Sequence, residues 1–223
     1  MPDLNGRAVL VTGAGHGLGA AVARALSNAG ARVVAADRAA LDVTSEASVA
    51  EAVAAAERDI GPLDGLVCNA GIAGPTAPLW EVSPEEWSVT LDVNLTGVHR
   101  CCAAALPGMI ARGRGSVVVI GSVTGKRPLL GRTPYAASKL GLVGYVCTAA
   151  LDLRGTGIRI NLVAPGPIEG ERLRRVVATS GSSVYEMFGD HPPVTEEQVA
   201  EAVAFLLSDA ASGMSGAELV LTG

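Results

Sequence analysis

The chain has 223 residues, 49% hydrophobic and 17% charged, a size and balance that one α/β domain accommodates. A formal net charge of −5 without a cluster of lysine and arginine argues against a nucleic-acid partner. No basic stretch leads into an apolar core near Met1 and no apolar run reaches the roughly 18 residues of a membrane helix, so a cytoplasmic protein with no membrane association is expected.

Ala8–Val11 is a short apolar run ending in glycines, and Leu18, Val22 and Leu26 then recur at helical spacing before Gly30, which predicts strand, turn and helix. Arg32–Ala36 predicts a second strand, read as buried on both faces, with Asp37 at its carboxyl end. The alternation continues with a helix over 45–59, a strand over 65–68, one long helix over 84–112 and a strand over 116–120. A helix over 134–154, a strand over 158–163, a helix over 196–207 and a closing strand over 218–221 complete it. This order predicts a doubly wound parallel sheet of the Rossmann type, in a single domain spanning 1–223. Only three residues separate Asp37 from Leu41, whereas a parallel crossover needs about a dozen. The edge strand beyond the second is therefore expected to be missing, leaving six full strands.

Cys68, Cys101, Cys102 and Cys147 lie in apolar segments without a C-x-x-C pair, which reads as reduced core thiols. His16, His99 and His191 are scattered, and no metal site is expected.

The run Thr12-Gly13-Ala14-Gly15-His16-Gly17-Leu18-Gly19 joins the first strand to the first helix. Its glycines let main chain approach a pyrophosphate, and the helix amino terminus offers free N–H groups to the negative charge. Asp37, about twenty residues on, is placed to accept hydrogen bonds from an adenosine ribose 2′-OH and to repel a 2′-phosphate. His16 and Arg38 bring positive charge that would favour that phosphate, so NAD is the expected cofactor and NADP the alternative.

Tyr135 and Lys139, at i and i+4, share one helix face. Bringing a tyrosine from about 10 to about 7 takes roughly 4 kcal/mol of preference for the phenolate. An ammonium about 4 Å away at an effective dielectric of about 20 supplies a term of that order. Ser122 follows the strand over 116–120 at the end where open α/β sheets bind ligands, and its hydroxyl can hold a substrate oxygen. Its surroundings, Gly-Ser-Val-Thr-Gly, do not match the G-x-S-x-G elbow of a serine hydrolase.

With these residues in view the chain resembles the short-chain dehydrogenase/reductase family from about Arg7 to Gly223. Thr12-Gly13-x-x-x-Gly17-x-Gly19 is similar to its cofactor loop, Asn69-Ala70-Gly71 to its N-A-G motif, and Tyr135-Ala136-Ala137-Ser138-Lys139 to its Y-x-x-x-K. Asn94, Ser122 and Pro165-Gly166 fall where that family has its helix asparagine, catalytic serine and proline-glycine turn. The resemblance implies a catalytic tetrad. Tyr135 would be the acid/base, Lys139 would lower its pKa and bind the nicotinamide ribose, Ser122 would orient the substrate oxygen, and Asn94 would support a water-linked proton relay. It also implies that Asp42 and Val43 lie against the adenine and that Asn69 and Ala70 lie near the adenosine ribose. Gly71, Pro165, Gly166 and Ile168 complete the cofactor contacts. Asn69 and Asn94 can equally hold neighbouring segments through their amides.

Two departures stand out: the missing crossover after Asp37, and Gly170 where relatives commonly carry threonine. A substrate lid is expected around 168–194. The expected activity is hydride transfer between NAD(H) and a secondary alcohol or ketone. The alternatives are an NADPH-preferring ketoreductase and a dinucleotide-binding regulatory protein without catalysis. Apolar helix faces over 84–112 and around Tyr135 suggest a homo-oligomer, a dimer or homotetramer. Small and apolar residues over 73–79 imply a ligand that is not highly charged, with Arg127, Arg172 and Arg174 read as solvated.

Overall fold

The computed structural model describes residues 2–170, 173–174, 177–178 and 192–222. The short apolar runs form the strands β1 (Ala8–Thr12), β2 (Arg32–Ala36), β3 (Gly65–Cys68), β4 (Gly115–Ile120), β5 (Ile158–Pro165) and β6 (Glu218–Leu221). Between them lie the helices α1 (Gly17–Asn28), α2 (Glu46–Ile60), α3 (Pro84–Leu91), α4 (Gly97–Arg112), α5 (Thr133–Asp152) and α6 (Glu196–Leu207). Helix starts follow side-chain chemistry: Ser45 caps α2, and Ser83–Glu86 and Thr195–Gln198 form reciprocal capping boxes on α3 and α6.

The six strands pair in parallel in the order β2-β1-β3-β4-β5-β6, with Leu10 opposite Val34 and Leu66. Alternate residues feed opposite faces, as the pleat demands. Leu10, Val117 and Val119 pack with Val53, Met109, Leu142 and Val146 beneath α2, α4 and α5. Val9, Val11, Val118 and Ile120 pack with Val22, Leu26, Val199 and Val203 beneath α1 and α6. Each fully buried valine or leucine contributes about 1.5–3 kcal/mol of transfer free energy, so these two apolar layers hold the single domain together.

Three details depart from the sequence expectation, at β2, in the helix over 84–112 and at Cys147, while the missing crossover after Asp37 is as expected. β2 is a half-exposed edge strand, with Arg32 and Ala35 exposed, because among the described residues no strand or crossover lies beyond it. The crossover is replaced by a tight turn in which Asp37 Oδ1 accepts from the main-chain N–H of Ala39 and Ala40, at 2.9 and 3.0 Å, and Leu41 N donates to the Asp37 carbonyl. The helix expected over 84–112 is interrupted by a π-helical turn at Asp92–Thr96, whose extra residue aims the Asn94 amide at the loop after β3. Cys68, Cys101 and Cys102 are core thiols, but Cys147 is exposed on α5, one position past the inward-facing Val146.

Most of the expected lid lies outside the described residues. At its base Ile168 bridges Val194 in parallel, and Glu169 N donates to the Val194 carbonyl at 2.9 Å.

Candidate active site

Strand order reverses at β1, whose neighbours β2 and β3 both follow it along the chain but lie on opposite sides of it in the sheet, so the loops leaving the carboxyl ends of β1 and β3 diverge and open a crevice. Thr12 and Asn69 tie its two walls together. Thr12 Oγ1 accepts from the N–H groups of Asn69 and Ala70, both at 3.1 Å, while Asn69 Nδ2 donates to the carbonyls of Thr12 and Gly13 at 3.0 and 2.9 Å.

The glycine loop is shaped by what it lacks. Gly13 has φ +65°, and a Cβ there would stand 2.7 Å from Ala70 Cα; at Gly19 it would overlap the Gly13 carbonyl oxygen. Gly15 faces Asp37, whose Cβ would stand 3.0 Å from a Cβ on the glycine. Gly17 opens α1 with φ +55°. His16 occupies the cap position, exposed, and makes no side-chain cap, and the first turn holds no acidic residue. The main-chain N–H groups of that turn therefore face the crevice without a side-chain acceptor, the arrangement that receives a pyrophosphate. Leu18 is half-buried against the α6 side of the core.

The adenine end is bounded by the turn after β2. Exposed Asp37 spends one carboxylate oxygen on the turn itself. Arg38 is largely solvated and stands 3.8 Å from Asp42. Thr44, donating to Asp42 through both hydroxyl and main chain, holds that carboxyl below its ordinary range, with Arg38 and Arg100 assisting against desolvation. Val43 is buried against Gly97, and its carbonyl accepts from Arg100 Nη1 at 3.1 Å. A nicotinamide dinucleotide fits this cradle.

At the other end, the loops after β3, β4 and β5 meet α5. Lys139, only 5% exposed, donates from Nζ to the Ile120 carbonyl at 2.8 Å and stands 5.8 Å from the centre of the Tyr135 ring. Asn94 is fully buried. Its Oδ1 accepts from Ile72 N at 2.8 Å, and its Nδ2 donates to the Ile72 carbonyl and to Ser138 Oγ at 3.0 and 3.1 Å. Ser138 Oγ in turn donates to the Tyr135 carbonyl at 2.7 Å. A Cβ on Gly71 would lie 3.3 Å from Asn94 Oδ1 and 3.7 Å from Lys139 Nζ, so Gly71 keeps this corner open. Ser122, half-buried, caps a one-turn helix by accepting from Thr124 N at 3.2 Å.

Pro165 ends β5, and Gly166 N donates to the Leu221 carbonyl at 2.7 Å, anchoring the turn that carries Ile168. Gly170 adopts φ +137°, a conformation that a threonine would reach only with strain. The sequence reading passed over Arg132. Its guanidinium is 5.1 Å from the centre of the Tyr135 ring, it donates from Nη1 to Thr76 Oγ1 at 2.9 Å, and the residue is 6% exposed. The signal available in the sequence was its position, three residues before Tyr135.

A family model described as enoyl-(acyl carrier protein) reductase matches residues 38–223. The chain is 38% identical to cis-4-hydroxycyclohexanecarboxylate dehydrogenase of Sinomonas cyclohexanicum, with 97% of this chain and 95% of that protein covered. It is 32% identical to 3-oxoacyl-(acyl-carrier-protein) reductase of Vibrio cholerae, covering 99% and 98%. Among solved structures, NAD+-bound xylitol dehydrogenase superposes with a TM-score of 0.91 at 30% identity, over 98% of each chain. With likeness extending over nearly the whole length of each relative, this chain belongs to the short-chain dehydrogenase/reductase family and is an NAD(P)-dependent oxidoreductase.

Proposed function

We propose that this enzyme oxidises a secondary alcohol to a ketone with NAD as its preferred dinucleotide, using Tyr135, Lys139, Ser122 and Asn94. The bound dinucleotide supplies the hydride acceptor at the nicotinamide ring. The chain's own residues manage the proton. Tyr135 takes it from the substrate hydroxyl, which Ser122 orients by hydrogen bonding. Lys139, held by the Ile120 carbonyl, places its ammonium beside the ring and stabilises negative charge developing on the phenol oxygen. The Asn94 side chain is spent on Ile72 and Ser138, so it acts by positioning the loop after β3 against α5.

The observation that carries the NAD preference is Asp37, a carboxylate at the end of β2 packed against Gly15 in the glycine loop. Negative charge there favours a ribose diol over a 2′-phosphate. Arg38 supports the second reading, an NADPH-dependent ketone reductase, but its nearest carboxylate, Asp42, competes for the guanidinium. Titrating the purified protein separately with NADH and NADPH, following nicotinamide fluorescence, tests the choice. Tighter NADH binding that reverses toward NADPH in Asp37→Ser supports the first reading, and tighter NADPH binding by the unaltered chain overturns it.

The enzyme is further proposed to work in the cytoplasm as a homo-oligomer, a dimer or tetramer. Ile110 on α4 and Leu140 and Leu151 on α5 are apolar and between 43% and 54% exposed, which supports pairing of these helices. Among the described residues no helix is long and apolar enough to cross a membrane.

A further inference from the structure

The amino ends of the strands lie at the opposite edge of the sheet from Tyr135, and there the fold gathers cations that the sequence keeps apart. Arg7 leads into β1, Arg114 leads into β4, Arg154 follows α5, and Arg159 is the second residue of β5. These four line one open cleft of about 390 Å³, with the hydroxyls of Ser212 and Ser215. A cleft of this volume accommodates a small ligand. Among the described residues its wall holds one carboxylate, Asp209, against the four arginines, an excess of three positive charges in a chain of formal net charge −5. Asp64, which precedes β3, pairs with Arg114 at 2.9 Å, and counting it still leaves an excess of two.

These guanidinium groups keep donors to spare, since each has five N–H bonds. Arg159 is the most committed, giving Nη2 to the Ser208 carbonyl at 3.1 Å and Nη1 to the Met214 carbonyl at 3.4 Å. Arg7 gives Nη2 to Asp209 at 2.5 Å, but that carboxylate is 89% exposed, and a pair so open to water holds weakly. Arg154 is exposed and makes no side-chain hydrogen bond or ion pair among the described residues. Like charges crowd together: burial and the neighbouring Arg7 push the Arg159 guanidinium below its ordinary range, with Asp209 opposing them. A concave surface lined by one sign of charge concentrates its field and draws in the opposite ion. Ser215 Oγ accepts from Ile160 N at 3.3 Å and keeps its O–H to donate. Guanidinium forks and hydroxyls are a donor set that suits phosphoryl oxygens.

We infer that this cleft is a second binding site, separate from the dinucleotide crevice, for a small molecule bearing a phosphoryl group with at least two negative charges. Its ligand lies at the far end of elements that build the active site: β4 runs from Gly115 toward Ser122, and α5 runs from beside Tyr135 toward Arg154. Occupancy does not depend on which alcohol or dinucleotide the enzyme uses. No basic cluster is visible along the sequence, because these four arginines meet only in the folded sheet.

Calorimetric titration with inorganic pyrophosphate tests the site on protein saturated with whichever of NADH and NADPH it binds more tightly, so that the glycine loop is already filled. One pyrophosphate per chain is expected. Its dissociation constant should rise about 10- to 100-fold in Arg154→Glu, which removes a charge-assisted hydrogen bond and sets a repelling charge in its place. Arg154→Lys should keep most of the affinity, and dinucleotide binding should be unchanged in both variants. Ser212→Asp brings a negative charge to the same cleft and should weaken pyrophosphate likewise, which keeps the test open if Arg154→Glu fails to fold. Citrate, a trianion without phosphorus, should bind more weakly than pyrophosphate. Absence of binding to the dinucleotide-saturated protein, binding that appears only when the crevice is empty, or affinity that survives the charge substitutions overturns the site. Citrate binding as tight as that of pyrophosphate overturns its phosphoryl assignment.

Discussion

Asn94 and Ile72 exchange a reciprocal pair of hydrogen bonds, amide to main chain, at 2.8 and 3.0 Å, across 22 residues of sequence. The π-helical turn exists where this exchange requires it, and the third Asn94 bond, to Ser138, extends the link to the helix that carries Tyr135 and Lys139.

Asn94→Ala should therefore be costly. The variant leaves the Ile72 N–H and C=O and the buried Ser138 hydroxyl without the Asn94 amide, which predicts a loss of about 1–3 kcal/mol. Urea denaturation measures it, and turnover should fall with it as the loop and α5 lose their register. An unchanged midpoint would show that the pair contributes nothing to stability.

Tyr135→Phe keeps the ring beneath Arg132 and beside Lys139 while removing the hydroxyl that would move the proton. Turnover should fall by about 10²- to 10⁴-fold, the usual worth of a positioned acid/base. NADH binding, followed by fluorescence titration, should persist. Near-normal kcat would remove Tyr135 from its assigned role.

Gly19→Ala places a methyl group against the Gly13 carbonyl and the Asn69 amide, so main chain must shift. Overpacking of this kind costs about 1–3 kcal/mol. Because the displaced carbonyl belongs to the dinucleotide loop, NADH affinity should fall together with thermal stability. Calorimetric binding and a melting curve on the same sample check both.

Asp42 gives an acid-side prediction. Hydrogen bonds from Thr44 hold its folded-state pKa below the ordinary 3.8, with Arg38 and Arg100 assisting. A depressed carboxylate contributes stability that is present above its unfolded pKa and is lost as pH falls through the folded one. Thr44→Val removes the side-chain donor, so its destabilisation should be visible at neutral pH and fade below about pH 4. Denaturation midpoints of the two proteins from pH 7 to pH 3 should converge, and a difference that stays constant with pH would exclude the ionic origin.

Chain order and local chemistry were enough to read the architecture. Buried strands such as Val117–Val119 announce themselves because both faces of a parallel sheet are apolar, and three residues between Asp37 and Leu41 exclude a crossover by length alone. The glycine loop was equally legible, since Gly13 and Gly19 occupy positions where a side chain would strike main chain. The exposure of β2 and of Cys147 was less accessible, because an apolar or small residue reads alike whether or not something covers it.

What the sequence by itself determined, then, was the succession of strands and helices and the residue types at the ends of β1, β3 and β4, because these follow from periodicity, turn stereochemistry and side-chain chemistry. Only the tertiary structure decided that the helix at Asn94 must open into a π turn, that Asp37 spends one oxygen on its own turn, and that Arg132 lies over Tyr135. Each of these depends on a partner distant in sequence or on the path of a turn. Local pattern carries no record of which groups the folded sheet brings within hydrogen-bonding distance.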